Sequence, residues 1–273
     1  MKVKTMAVKM KSYGLVAHLH RWGLKVVEKD GWRDRGRPYN FYPRAVICHH
    51  TASGAQSGNF ASESIVTTGR SDLPGPLCQF LLGRDGTVKI IAAGYANHAG
   101  YGGPHAGIPA NQGNTYAVGI EAENNGVGET WSKEQLNAYY RLCAALLVWL
   151  DKKDVNLVFG HKEWAPGRKI DPAGINMDKF REQVKNALAQ GPSVATVRLS
   201  RLRPGKRNND VLLLKKRLDR RGFSTSDDTT NFFGQGLRKD YRHWQRSLGY
   251  TGNDADGIPG KESLQKLGFR VIP

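Results

Sequence analysis

The sequence predicts an α/β protein with a mixed central sheet flanked by helices, joined to a small all-α domain of three helices. Three observations point there. Apolar runs of strand length alternate with helical periodicities through the first 190 residues, the interleaving that builds a layered α/β sheet. Beyond Gly191 the composition turns to Pro, Ser, Arg and Lys and then to short amphipathic stretches. A length of 273 residues with 39% hydrophobic content is enough for one full-sized core and a smaller one. The expected division is a larger domain over 1–190, a linker over 191–207 and a small domain over 208–273.

Taken in order, Tyr13, Val16, Leu19 and His20 fall at helical spacing, and Gly23 ends that run. Residues 24–27 are extended and apolar, and 32–37 form a basic, glycine-containing connection. Residues 44–50, RAVICHH, read as a buried strand whose C-terminal end opens onto a site. Neighbouring side chains on a strand point to opposite faces, so His49 and His50 cannot both face one metal. Residues 78–82 and 87–91 flank Gly83-Arg84-Asp85-Gly86, a hairpin signal. Residues 94–115 are rich in Gly, Asn and Pro and include His98 and His105, as expected of a loop lining a site.

Residues 116–123, YAVGIEAE, alternate so that Val118 and Ile120 face one side and Glu121 and Glu123 the other. Ser132 with Gln135 forms a capping pattern ahead of Leu136, Tyr139, Tyr140, Cys143, Leu147 and Leu150, a long amphipathic helix. Residues 155–159 read as another apolar strand, which delivers His161. Phe180, Val184 and Leu188 mark a helix stopped by Gly191-Pro192. In the small domain, Val211, Leu214, Leu218 and Phe223 predict one helix. Leu237, Tyr241, Trp244 and Leu248 predict a second, and residues 261–267, after DADGIPG, a third.

The net charge is +17, and residues 191–273 carry +9 of it, with 17 Lys and Arg against 8 Asp and Glu. Such a field favours polyanions: nucleic acid, anionic lipid surfaces or the acidic polymers of a bacterial wall. Cys48, Cys78 and Cys143 are odd in number and widely spaced, which suggests neither a disulfide framework nor a cysteine zinc knuckle, but reduced, mostly buried thiols. No run approaches the ~18 apolar residues of a membrane span. The N-terminus MKVKTMAVKMKSYG lacks an apolar h-region with a cleavage site, so synthesis in the cytoplasm is the expectation.

The chemistry concentrates in GHKEWAPGRKIDP, residues 160–172. His161 and Asp171 are two of the three protein ligands of a catalytic zinc site, whose fourth position stays open. A histidine at the end of the 44–50 strand can supply the third, and the strand bearing Glu121 and Glu123 a carboxylate base.

VICHHTAS, YAVGIEAEN and GHKEWAPGRKIDP resemble, in order and across about residues 44–190, the three blocks of the zinc-dependent N-acetylmuramoyl-L-alanine amidases. That type 2 amidase family also includes the peptidoglycan recognition proteins. The resemblance selects His49 over His50, so that His49, His161 and Asp171 would bind Zn2+. It implies Glu121 as general base and Lys169 as stabiliser of the developing oxyanion. Cys48, on the opposite face from His49, is excluded as a ligand. ANHAG resembles a block lining the substrate groove, although Asn97 stands where an aromatic residue is usual; His98, and with it His50 and Trp164, are implied substrate contacts. Glu123 falls to a structural or supporting role.

HWQRSLGYTGNDADGIPGKESLQKLG resembles a peptidoglycan-binding domain of the three-helix type, with Pro259 where that family usually has Phe. Trp244 is expected in its core rather than stacked on sugar. The whole arrangement is similar to lysins of phages that infect actinobacteria. It implies a phage endolysin that cleaves the amide between N-acetylmuramic acid and L-alanine. The chain would be made in the host cytoplasm, act on the wall after holin-mediated release and bind peptidoglycan, with a wall-binding C-terminal domain, no nucleic acid and no membrane insertion. The alternatives are a bacterial autolysin with the same chemistry and a non-catalytic recognition protein. Nucleic-acid binding driven by charge would explain none of the His, Glu and Asp positions.

Overall fold

The computed structural model describes residues 10–12, 14–55, 57–192, 195–219, 221–224 and 230–273. Tyr13 of the first predicted helix and residues 193–194 of the predicted linker lie outside them. The chain divides into two compact units, Met1–Ser193 and Val194–Pro273.

In the first unit, α1 (Gly14–Arg21) leads to β1 (Val26–Glu28) and β2 (Ala45–His50). Then come α2 (Glu63–Thr68), a small antiparallel pair β3 (Gly69–Arg70) and β4 (Leu73–Pro74), and the hairpin β5 (Phe80–Leu82) and β6 (Val88–Ile90). The short α3 (Gly113–Tyr116) runs into β7 (Ala117–Ala122), followed by α4 (Lys133–Trp149), β8 (Val158–Gly160), α5 (His161–Trp164) and α6 (Met177–Gln190). The sheet order is β1-β6-β5-β7-β2-β8, parallel at every step except β5 against β6. This is the mixed sheet expected.

The two central strands are buried on both faces, which is why they read as near-continuous apolar runs. From β2 and β7, Val46, Cys48, Val118 and Ile120 pack beneath the helices with Tyr139, Leu142, Leu146, Phe180 and Val184. Ala45, Ile47 and Ala117 face the other way, onto Ile108, Phe159 and Trp164. On that second face the β2–β7 register sets His49 opposite Glu121, so the alternation that buries Ile47 also aims His49. At the start of α4 the Ser132 side chain accepts the Gln135 amide, the cap foreseen from sequence.

The boundaries differ in three places. Residues 155–157 form a 3-10 turn capped by Asp154, and the strand starts only at Val158. The 160–172 motif opens as a helical turn, α5, whose Gly160 amide is held by Glu163 Oε2 at 2.7 Å. Sequence reading left 51–77 unassigned, where α2 and its hairpin stand.

In the second unit, β9 (Thr196–Arg198), α7 (Asn209–Asp219), α8 (Gln235–Ser247), α9 (Lys261–Lys266) and β10 (Arg270–Ile272) surround a core of their own. Val197 and Leu202, in the stretch read as linker, are fully buried in that core. The three helices are joined by a parallel β9–β10 pair with Val271 opposite Val197. Trp244 is 5% exposed and donates to the Ser263 carbonyl at 3.1 Å, a core residue as expected.

Candidate metal centre

Three segments meet beyond the C-terminal ends of the parallel strands, where such sheets place their sites. β2 delivers His49, the start of α5 delivers His161, and the loop after α5 returns Asp171. The Lys162 amide donates to the Asp171 carbonyl at 2.8 Å, which pins that return. His49 Nδ1 lies 2.9 Å from His161 Nδ1, and Asp171 Oδ2 lies 3.0 Å from each. All three residues are buried.

The outer ring nitrogens settle the tautomers. His161 Nε2 donates to the Ala99 carbonyl at 2.8 Å. His49 Nε2 is 3.1 Å from His98 Nδ1, and His98 Nε2 is 3.2 Å from the Ala117 carbonyl, so a chain of N–H donors runs from His49 through His98 to the backbone. Both inward Nδ1 atoms therefore present lone pairs to each other and to a carboxylate. Acceptors converge with no proton between them, an arrangement that a cation completes. Two imidazoles and one carboxylate oxygen with an open side are a donor set zinc accepts, and a tetrahedral ion with bonds of about 2.0–2.1 Å holds its ligands about 3.3 Å apart. The observed spacings are a few tenths of an ångström tighter.

Electrostatics agree with this. Burial, then the neighbouring His161, lowers His49 from 6.5 to about 4, which keeps it neutral and able to ligate. Burial alone would raise Asp171, but its close contacts with the His161 and His49 rings outweigh it and hold the carboxyl well below the usual carboxylate range. Burial, and then the like charge of Asp171, push Glu121 well above its ordinary value. Glu121 Oε1 is 3.9 Å from His49 Nδ1, and among the described residues its buried Oε2 has no partner.

The remaining candidates separate. Lys169, His50, His98, Glu121, His161 and Asp171 line one cleft of about 550 Å3. His98 lies behind His49, across Gly119, where any Cβ would sit 2.6 Å from the imidazole; it orients His49. His50 points away from His49 and accepts the Ala173 amide on Nδ1 at 3.0 Å. Trp164 does not reach the cleft. It is wholly buried, donates to the Gly100 carbonyl at 3.3 Å and packs against Gly102 and Gly103, so the substrate contact implied for it is corrected to support of the 99–103 loop. His105 packs on Phe159. Glu123 is fully buried and accepts from Thr51, Ser62 and, in a very short contact, Ser53, tying down the loop after β2. Cys48 faces Cys143 across 3.9 Å, and all three thiols are free and buried.

Sequence reading missed Tyr139 and Arg168. The Tyr139 hydroxyl accepts the His49 amide and donates to the His49 or Ile120 carbonyl, bridging β2 and β7 at the ligand. Arg168 donates to the Ala99 carbonyl at 3.0 Å, the oxygen that fixes His161, and to the Tyr101 carbonyl. Tyr139 gave only the signal of a core position on a helix, and Arg168 that of a loop cation.

Residues 38–174, half of the chain, match the protein-family profile described as N-acetylmuramoyl-L-alanine amidase. The comparison with curated proteins finds no match. Among solved structures, a selenomethionine derivative of AmpD is 20% identical, with a TM-score of 0.43, covering 59% of this chain and 94% of that one. The amidase LysC from Clostridium intestinale is 23% identical, with a TM-score of 0.41, over 59% of this chain and 97% of its own. A mutant of Drosophila PGRP-LB in complex with tracheal cytotoxin is 18% identical, with a TM-score of 0.43, over 57% and 92%.

Proposed function

This chain belongs to the N-acetylmuramoyl-L-alanine amidase family, and we propose that it is a zinc-dependent phage endolysin whose second unit binds the bacterial wall. The observation that carries the enzymatic reading is the buried triad His49, His161 and Asp171, with an ionisable Glu121 held beside it. A protein that only bound peptidoglycan would not need three converging acceptors and a carboxylate with a free oxygen.

Zinc, when bound, would polarise the lactyl carbonyl of muramic acid and make water a better acid. Glu121 takes the proton of the attacking water and returns it to the departing alanine nitrogen as the C–N bond breaks. Lys169 lines the same cleft, and its ammonium offsets the charge on the former carbonyl oxygen. His98 and the Ala99 carbonyl keep both ligand rings in register. The products are a lactyl carboxylate on the glycan and a stem peptide beginning with L-alanine. In this reading the chain meets the host wall after a holin opens the membrane. Its densely basic C-terminal part favours an acidic, polymer-rich surface.

Digestion of purified walls, read by mass spectrometry and by new N-terminal alanine alongside metal analysis, tests this. We expect free stem peptides and about one zinc per chain. Wall binding without either product would make the protein a recognition module.

A further inference from the structure

On the far side of His50 from the catalytic cleft lies a second depression of about 770 Å3, between the N-terminal halves of α4 and α6. We propose that it is a saccharide subsite that takes the glycan next to the scissile muramoyl unit; this rests on the amidase reading above. Three observations argue for it.

The depression adjoins the cleft. Gly126 and Ala173 line it, and the same two residues clasp His50, a cleft residue: the Ala173 amide donates to Nδ1, and a Cβ on Gly126 would meet Nε2 at 2.2 Å. One extended substrate can thus cross the His50 divide.

Its chemistry suits a sugar. The half-buried rings of Trp131 and Tyr140 supply apolar faces, exposed Gln183 supplies an amide, and Asn176, whose Oδ1 caps α6, offers its NH2 to hydroxyl and N-acetyl groups. Trp131 is held in place by a 2.9 Å hydrogen bond from Nε1 to the Ala173 carbonyl.

Its charge contrasts with that of the cleft. Glu129 is neutralised by a bidentate Arg84, which leaves Lys179 as the cation of the depression. In the cleft Arg70 is likewise neutralised by a bidentate Asp72, and Arg168 and Lys169 are the cations that remain. The carboxylate-bearing peptide half of the substrate therefore belongs to the cleft, and the neutral, hydroxyl-rich half to the aromatic depression.

Calorimetry on the full chain with a peptide-free tetrasaccharide of alternating N-acetylglucosamine and N-acetylmuramic acid, its lactyl carboxyls methyl-esterified so that it is neutral, tests the assignment. Two substrates are then compared: a muramoyl peptide with one sugar and the same peptide on the tetrasaccharide. We expect Trp131→Ala to weaken tetrasaccharide binding about tenfold or more, with Trp131→Phe close to the parent. The surface double variant Lys179→Ala with Gln183→Ala, which leaves the core intact, should weaken it in the same direction. KM should rise for the tetrasaccharide peptide alone, with kcat unchanged. Tetrasaccharide affinity that is absent in the parent, or equal in parent and variants, overturns the subsite, as does a KM shift common to both substrates. A parent that hydrolyses neither substrate refutes the amidase reading instead.

Discussion

Glu121 shows how much one side chain depends on its neighbours. Burial and the charge of Asp171 hold a proton on it above the usual carboxylate range, while an ion seated between His49, His161 and Asp171 would offset Asp171 and draw the proton off again. A base must be deprotonated to act, so kcat/KM falls as pH drops through the Glu121 pKa. In the metal-loaded enzyme that acid limb should lie below the raised Glu121 titration of the metal-free chain, and it should disappear in Glu121→Gln. The same variant should retain metal and slow hydrolysis by about 10²- to 10⁴-fold; near-normal turnover would assign the base elsewhere. His161→Ala should lose the metal, with metal analysis as the readout, and unchanged zinc would break the ligand assignment. The choice between His49 and His50 was half legible, because strand alternation forbids both from facing one ion. That His98 serves His49 was not legible, since it depends on Gly119 letting one ring lie across a neighbouring strand.

At the level of elements, α4 does more than cover the sheet. Its Tyr139, fully buried, takes up the His49 amide at 3.0 Å, just past the point where β8 pairs with β2. Tyr139→Phe keeps the ring and strips the hydroxyl, so the His49 amide is left unpaired in the core. We expect a loss of about 1–3 kcal/mol in denaturant-derived stability together with weaker metal retention against a chelator; an unchanged midpoint and unchanged retention would show that the strand end holds itself. The strands and long helices were legible because apolar period and capping residues are local signals, as Ser132 shows. The Tyr139 hydroxyl was not, because the 3.6-residue period marks it as core without saying which backbone it meets 90 residues away. The α2 hairpin region escaped notice for a related reason: residues 63–74 carry Ser, Thr, Gly and Pro rather than an apolar repeat. They are ordered by long-range ties such as Lys89 on Glu63.

At the level of the whole molecule, the two units differ in what holds them and in what they present. The second unit has its own core, from Val197 through Trp244 to Phe269, and so needs no other surface to bury its apolar residues. It also concentrates +9 of the net charge into the last 83 residues, where 191–207, far from being an inert linker, supplies Val197 and Leu202 to that core. A fragment starting at Ala195 should therefore unfold in one cooperative transition, whereas one starting at Asn208 lacks β9 and should not. Because attraction to an acidic polymer is screened within a Debye length of about 10 Å at 0.1 M salt, the full chain should sediment with walls at low salt and release as salt rises. Hydrolysis of a soluble muramoyl peptide should change far less over the same range. Sedimentation and peptide release, measured side by side across salt, check this. Wall binding insensitive to salt would move recognition from charge to the shape and hydrogen bonding of the second unit.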